Sequence, residues 1–103
     1  MSDTITLGNR SIQIIPNSAG ISSFDIKTYF TKNIRLTKIS FKASHPDDLL
    51  KIRDGSSTGP FIVPYLQDGE VNFDEGLDCE PYILSTDVTL NTPANSVIIF
   101  FFK

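Results

Sequence analysis

Cysteine, histidine and tryptophan are almost missing from this chain: its 103 residues hold one cysteine, Cys79, one histidine, His45, and no tryptophan. With a single thiol no intramolecular disulfide can form, so an apolar core must hold the domain, and no oxidising compartment is called for. One Cys and one His fall short of a structural zinc set, and a nucleophile–histidine pair would have to use His45. That residue stands directly before Pro46 in a segment that reads as a solvated surface turn. No glycine-rich strand-to-helix loop is present to cradle a nucleotide phosphate. The expectation is a protein without catalytic residues, metal or cofactor.

Long apolar runs are scarce as well. The longest is Val97 to Phe102, far below the ~18–20 residues of a membrane-spanning helix. The first ten residues show no basic head followed by an apolar stretch, so no secretion signal and no membrane partner are expected. A formal net charge of −3 argues against a nucleic-acid partner held by an overall basic field. Helix-favouring residues are few too, with three Ala, three Glu, two Gln and one Met. Against them stand thirteen Ile, four Val, nine Thr, eight Phe and three Tyr, the residues that suit pleated, half-buried surfaces. The composition reads as all-β, and the length fits one domain.

The patterning agrees. Phe24, Ile26, Thr28 and Phe30 alternate with Asp25, Lys27 and Tyr29, which predicts a strand with one face on a core. In the next segment Ile34 and Leu36 share one parity while Ile39 and Phe41 share the other, which predicts a bulge near Thr37 and Lys38 or a switch of the buried face. Thr31-Lys32-Asn33 would join these two segments as a hairpin. The His45-Pro46-Asp47-Asp48 turn opens a short strand over Leu49 to Arg53, closed by Asp54-Gly55, where glycine can take positive φ. Pro64 places the strand Phe61 to Leu66 at a sheet edge or a bulge, because it lacks a backbone donor. Further strands are expected at Thr4 to Leu7, Ser11 to Ile15, Val71 to Phe73, Pro81 to Leu84, Val88 to Leu90 and Val97 to Phe102. The fold expected is a single antiparallel β-sandwich or jelly roll of about eight short strands over residues 10–103, with residues 1–9 as an extended arm.

Charge divides along the chain. Residues 1–53 hold eight Lys/Arg and four Asp/Glu, whereas residues 54–103 hold one and eight. Separated in space, those halves would give a basic and an acidic side suited to head-to-tail association; interleaved strands would mix them. Six carboxylates, Asp68, Glu70, Asp74, Glu75, Asp78 and Glu80, fall close together and read as a solvated acidic loop. The competing readings are a Ca²⁺ site or a paired acid and base for glycoside hydrolysis, although no EF-hand spacing is present.

The last strand carries the sharpest signal. Val97, Ile99 and Phe101 line one face and Ile98, Phe100 and Phe102 the other, while a sandwich strand normally buries only one. A lid from the same chain or a second subunit must cover the remaining face, and Phe61 to Leu66 poses the same question. Phe61, Tyr65, Phe100 and Phe102 are therefore candidate interface residues, with Arg10 and the rest of the arm from Ser2 reaching a neighbour.

Two resemblances attach to quoted segments. Asp47-Asp48-Leu49-Leu50-Lys51-Ile52-Arg53-Asp54-Gly55, continuing through Ser56-Ser57-Thr58-Gly59-Pro60, resembles the central hairpin of CUB modules. In that family the aspartate at the place of Asp48 helps to bind calcium in many members. CUB modules normally carry disulfide pairs and this chain has one cysteine, so the likeness reads as shared hairpin mechanics. A broader likeness covers Ile39 to Ile62 and Cys79 to Phe100. There Ile-Ser-Phe-Lys-Ala-Ser, Lys-Ile-Arg-Asp-Gly, Glu-Pro-Tyr-Ile and Thr-Pro-Ala-Asn-Ser-Val-Ile-Ile-Phe resemble small β-sandwich structural proteins of tailed bacteriophages. This resemblance implies a non-enzymatic virion component assembled in the host cytoplasm, in first place a capsid decoration (cement) protein. Its implied partners are copies of itself, for example in a trimer, and the major capsid or another virion protein. The alternatives are a small neck or tail component, or a carbohydrate- or calcium-dependent binding module using the loops around Asp48 and Asp68 to Asp78.

Overall fold

Branched and aromatic residues at every second position drive the chain into extended segments whose apolar faces can be satisfied only against each other. The computed structural model describes residues 3–30 and 34–103. Nine strands are found there: β1 (Thr4–Leu7), β2 (Ser11–Ile15), β3 (Phe24–Asp25), β4 (Ile34–Lys42), β5 (Leu50–Asp54), β6 (Phe61–Leu66), β7 (Gly69–Cys79), β8 (Pro81–Ile83) and β9 (Val97–Phe102). They form a five-stranded sheet in the order β1-β2-β9-β4-β7 and a four-stranded sheet in the order β3-β8-β5-β6. The pairings are antiparallel throughout, and the protein is an all-β sandwich.

The core lies between the sheets. The five-stranded sheet contributes Ile12, Ile14, Leu36, Ile39, Phe41, Ile98 and Phe100, and the four-stranded sheet contributes Phe24, Leu50, Ile52, Val63, Leu66 and Ile83. The parity change within β4 is a bulge, since the register with both neighbours shifts between Leu36 and Lys38. It lets Leu36, Ile39 and Phe41 all face inward. Pro64 lies on β6, the edge strand of its sheet, where a missing donor costs no ladder bond. Gly55 takes φ +85° where the chain leaves β5.

Several expectations are corrected. The alternation from Phe24 to Phe30 is a strand only over Phe24–Asp25, after which the chain turns into a 3-10 segment, Ile26–Thr28. The reason is local: the Asp25 carboxylate accepts the Lys27 amide at 3.0 Å and caps the turn, while Ile26 remains buried. The expected hairpin with β4 is absent, because β3 pairs with β8 in the opposite sheet. The Thr31-Lys32-Asn33 turn lies outside the described residues. Val88 to Leu90 forms no strand and makes only an isolated bridge from Thr89 to Leu49. The strand expected at Thr4 to Leu7 is found with those limits as β1, at the edge of its sheet and paired with β2. The carboxylates from Glu70 to Asp78 lie not on a loop but along β7, whose alternation shows Val71 and Phe73 toward the core cluster and the acids toward water.

Charge does not separate into two poles. Strands of the basic half sit beside strands of the acidic half, and the partners pair across the ladder: Arg35 with Asp78 at 3.1 Å and Lys38 with Glu70 at 3.1 Å. Sandwich topology, which places β4 next to β7, is the physical reason.

The two faces of β9 also resolve. Ile98 and Phe100 are wholly buried, whereas Val97, Ile99 and Phe101 are half-buried on the outer face between β2 and β4. The Lys38 ammonium lies over the Phe101 ring, 5.3 Å from its centre. Phe102 meets Phe30 edge to face at 5.2 Å.

Candidate functional site

The five candidate interface residues separate into three places. Phe100 is a core residue with no exposed surface, stacked on Phe24 at 5.8 Å, so its assignment to an interface is corrected: central position in the sheet and inward parity enclose it. Phe102 is half-buried against Phe30. Arg10 is exposed in the tight turn between β1 and β2, where its carbonyl accepts the Phe102 amide at 2.8 Å. Only Phe61 and Tyr65 are exposed together on one strand, 42% and 60% on β6.

Their exposure follows from register. Leu66 faces Leu50 and Val63 faces Ile52, all inward, but the register slips between Ile52 and Arg53 so that Phe61 lies opposite Arg53 on the outer face. Tyr65, next to inward Leu66, also points out. The Arg53 guanidinium lies over the Phe61 ring, 4.2 Å from its centre. Its Nε donates to Asp87 at 2.7 Å and its Nη1 to the Gly59 carbonyl at 3.0 Å. Both members of that ion pair are largely covered, the side chains of Arg53 and Asp87 being 20% and 12% exposed. A fixed guanidinium thus supports one exposed aromatic ring, and a second exposed aromatic follows four positions along the same edge strand. Such groups suit contact with another macromolecule: Tyr, Phe and Arg are enriched at interface centres, and rings held in place lose little entropy on binding.

Asp48 has a different role from the one the CUB-like hairpin implies. It is wholly buried, and four protein donors occupy its carboxylate. Oδ1 accepts the Asn91 amide at 2.8 Å and Asn91 Nδ2 at 2.7 Å, while Oδ2 accepts the Ser44 amide at 3.0 Å and Ser44 Oγ at 2.9 Å. Burial by itself would raise its pKa, but these hydrogen bonds outweigh it and hold the carboxyl down at about 2. The buried Ser96 joins the same cluster, its Oγ lying 3.5 Å from Ser44 Oγ. Asp48 therefore ties the loop after β4 to the loop before β9, as a brace with no lone pair to spare.

The other polar candidates are dispersed. Asp68 accepts the Ala43 amide at 2.9 Å, Glu70 and Asp78 are ion-paired across the ladder, and His45 Nδ1 accepts the Asp47 amide at 3.1 Å within its turn. Among the described residues no three His, Cys, Asp or Glu side chains converge as a metal site would require. Cys79 is buried, and desolvation, with Asp54, Asp78 and Glu80 adding negative charge, pushes its thiol up to about 12. That removes the thiolate a nucleophile needs.

Sequence reading missed two features. In sequence Arg53 only ends a strand, and its pairing with Asp87 depends on a contact between residues 34 positions apart that no local pattern signals. Tyr29, placed on a regular strand, is an exposed ring at the mouth of a cavity beneath β1. Comparison with known proteins finds no matching family model, no matching curated protein and no matching solved structure.

Proposed function

We propose that the protein is a non-enzymatic assembly module that docks on a larger protein particle through the outer face of β6, as a capsid decoration (cement) protein of a tailed bacteriophage. The observation that carries this reading is the supported aromatic pair: Phe61 over a pinned Arg53, and Tyr65 beyond it, on an edge strand. The likeness of the segments Ile39 to Ile62 and Cys79 to Phe100 to small phage β-sandwich proteins supplies the setting. Two polar groups are engaged within the fold, Asp48 by its four donors and Cys79 by burial that favours the thiol.

The test is cosedimentation with shells assembled from the major capsid protein encoded in the same genome. The wild-type chain is expected to pellet with the shells, and Tyr65→Glu to stay in the supernatant with an unchanged unfolding midpoint, since Tyr65 is mostly exposed. A wild-type chain that never pellets, or a Tyr65→Glu variant that pellets as well as wild type, overturns the reading.

A further inference from the structure

A cavity of about 270 Å³ opens between the edge strands β1 and β3, lined by Asp3, Ile5, Ser22, Asp25, Thr28 and Tyr29 among others. Its floor is rigid. Tyr29 stacks on Phe24 at 5.6 Å, and Phe24 stacks on the buried Phe100 at 5.8 Å, so a ladder of three rings runs from the mouth into the core. Its rim is anionic. Asp3 is fixed by the Asn17 amide and side chain, both at 3.0 Å, and by the Ser22 amide at 2.9 Å. Asp25 gives one oxygen to the Lys27 amide, but its Oδ2 has only the Lys27 ammonium at 4.0 Å, and that ammonium already donates to the Gly55 carbonyl at 2.6 Å. An aromatic face beside an under-used carboxylate matches a guanidinium, which can stack and pair at once.

We propose that this cavity receives Arg10 of a second copy, so that copies associate head to tail; the inference deepens the assembly reading and rests on it. Arg10 is exposed at the tip of the β1–β2 turn, and among the described residues it makes no ion pair. Arg10 of the same chain is not among the residues that line the cavity, and it lies beyond the end of β1 away from Asp3. The fit is more than charge. Tyr29, which lines the cavity, is 38% exposed, and Leu7, 54% exposed, lies two residues along β1 from Ile5 of the lining, so the incoming turn would cover an apolar ring left in water. Where one tip enters one cavity without the reverse contact, the association is heterologous and closes into a ring or continues as a filament according to the rotation between copies.

Sedimentation velocity of the full chain, up to millimolar concentration and without capsid shells, tests this. The wild type should associate with rising concentration. Arg10→Glu and Thr28→Lys, both at exposed positions, should each move association to concentrations about tenfold higher or more, and the double variant should recover it. Thr28→Lys is chosen because it brings a cation to the rim and leaves the Asp25 cap untouched. Added salt should weaken the wild-type contact. A wild type that is monomeric throughout, single variants that associate as wild type does, or a double variant no better than either single one, each overturns the proposal. Failure here with intact shell binding leaves the β6 reading standing, and loss of shell binding with intact self-association does the reverse.

Discussion

One oxygen of the Asp48 carboxylate holds both the backbone amide and the side-chain amide of Asn91, at 2.8 and 2.7 Å, and so fastens two loops that lie 43 residues apart in the chain. This contact dictates how the protein responds to acid. In the folded state the carboxyl titrates at about 2 instead of its ordinary 3.8, so the unfolded chain binds the proton more readily. The stabilisation is complete above pH 3.8 and is lost as pH falls toward 2. The shift limits the effect to ~2.5 kcal/mol, and screening by nearby solvent reduces the expected figure to about 1–2 kcal/mol. Denaturant unfolding at stepped pH should show this slope for the wild type and a flatter one for Asp48→Asn. Identical acid slopes would remove Asp48 as the cause.

Arg35 and Gly76 make a second long-range lock. Between Leu36 and Lys38 the partner strand β7 carries several extra residues, because Leu36 pairs with Leu77 but Lys38 with Asn72. Arg35 closes that bulge, donating from Nε to the Glu75 carbonyl at 2.8 Å and from Nη1 to Asp78 at 3.1 Å. Gly76 has φ +85°, and a Cβ there would come 2.6 Å from Arg35 Cγ. Gly76→Ala should therefore cost about 1–3 kcal/mol. The cost should fall in an Arg35→Ala background, where only the backbone strain remains. A double-mutant cycle by denaturant unfolding that gives no coupling would separate the two residues.

Cys79 should be silent toward thiol reagents. At neutral pH its raised pKa and burial leave no accessible thiolate. A disulfide reagent at pH 8 should label it no faster than the protein opens, and labelling should become rapid in denaturant. Full labelling of the native protein within the mixing time would contradict the burial.

The last strand offers a graded series. Phe100→Ala should cost about 3–5 kcal/mol, the usual range for a fully enclosed aromatic, since Phe100 is wholly buried. Phe101→Ala, on the half-buried outer face, should cost less than about 1 kcal/mol. Phe102→Ala should fall between them because it loses the Phe30 contact. Thermal unfolding of the three variants orders them, and a destabilised Phe101→Ala equal to Phe100→Ala would mean that the outer face is enclosed as tightly as the inner.

Arg53 should matter to the fold as well as to the proposed contact. Replacing it by Ala leaves Asp87, only 12% exposed at its side chain, without its partner, at a cost of about 2–4 kcal/mol. Arg53→Lys keeps the charge but loses the forked contact to both Asp87 and Gly59, and should recover part of the loss. Full recovery by lysine, seen in the unfolding midpoint, would reduce the interaction to charge alone.

The chain announced its strands wherever a local rule was enough. β2, β6 and β9 have the limits that alternation and turn residues indicate, Pro64 marks an edge, and the change of parity after Leu36 marks a bulge, because each depends on neighbours in sequence. Phe24 to Phe30 misled, since a period-two pattern does not register the Asp25 cap that turns the chain after two strand residues. The exposed Phe61 and Tyr65 were legible as apolar residues on an edge strand, but Phe100 could not be told from them by type. Parity says that β9 has two faces, and only the packing of the four-stranded sheet, with Phe24 against Phe100, says which one is enclosed. Sequence by itself therefore determined the fold class, the strand periods and the absence of a disulfide framework, all of which follow from composition and short-range sterics. Tertiary structure alone decided that Asp48 is a brace, that Arg53 meets Asp87, that the two charged halves interleave, and that Tyr29 opens onto a cavity. Each of these joins residues far apart in the chain, and such contacts exist only after the two sheets have closed on a common core.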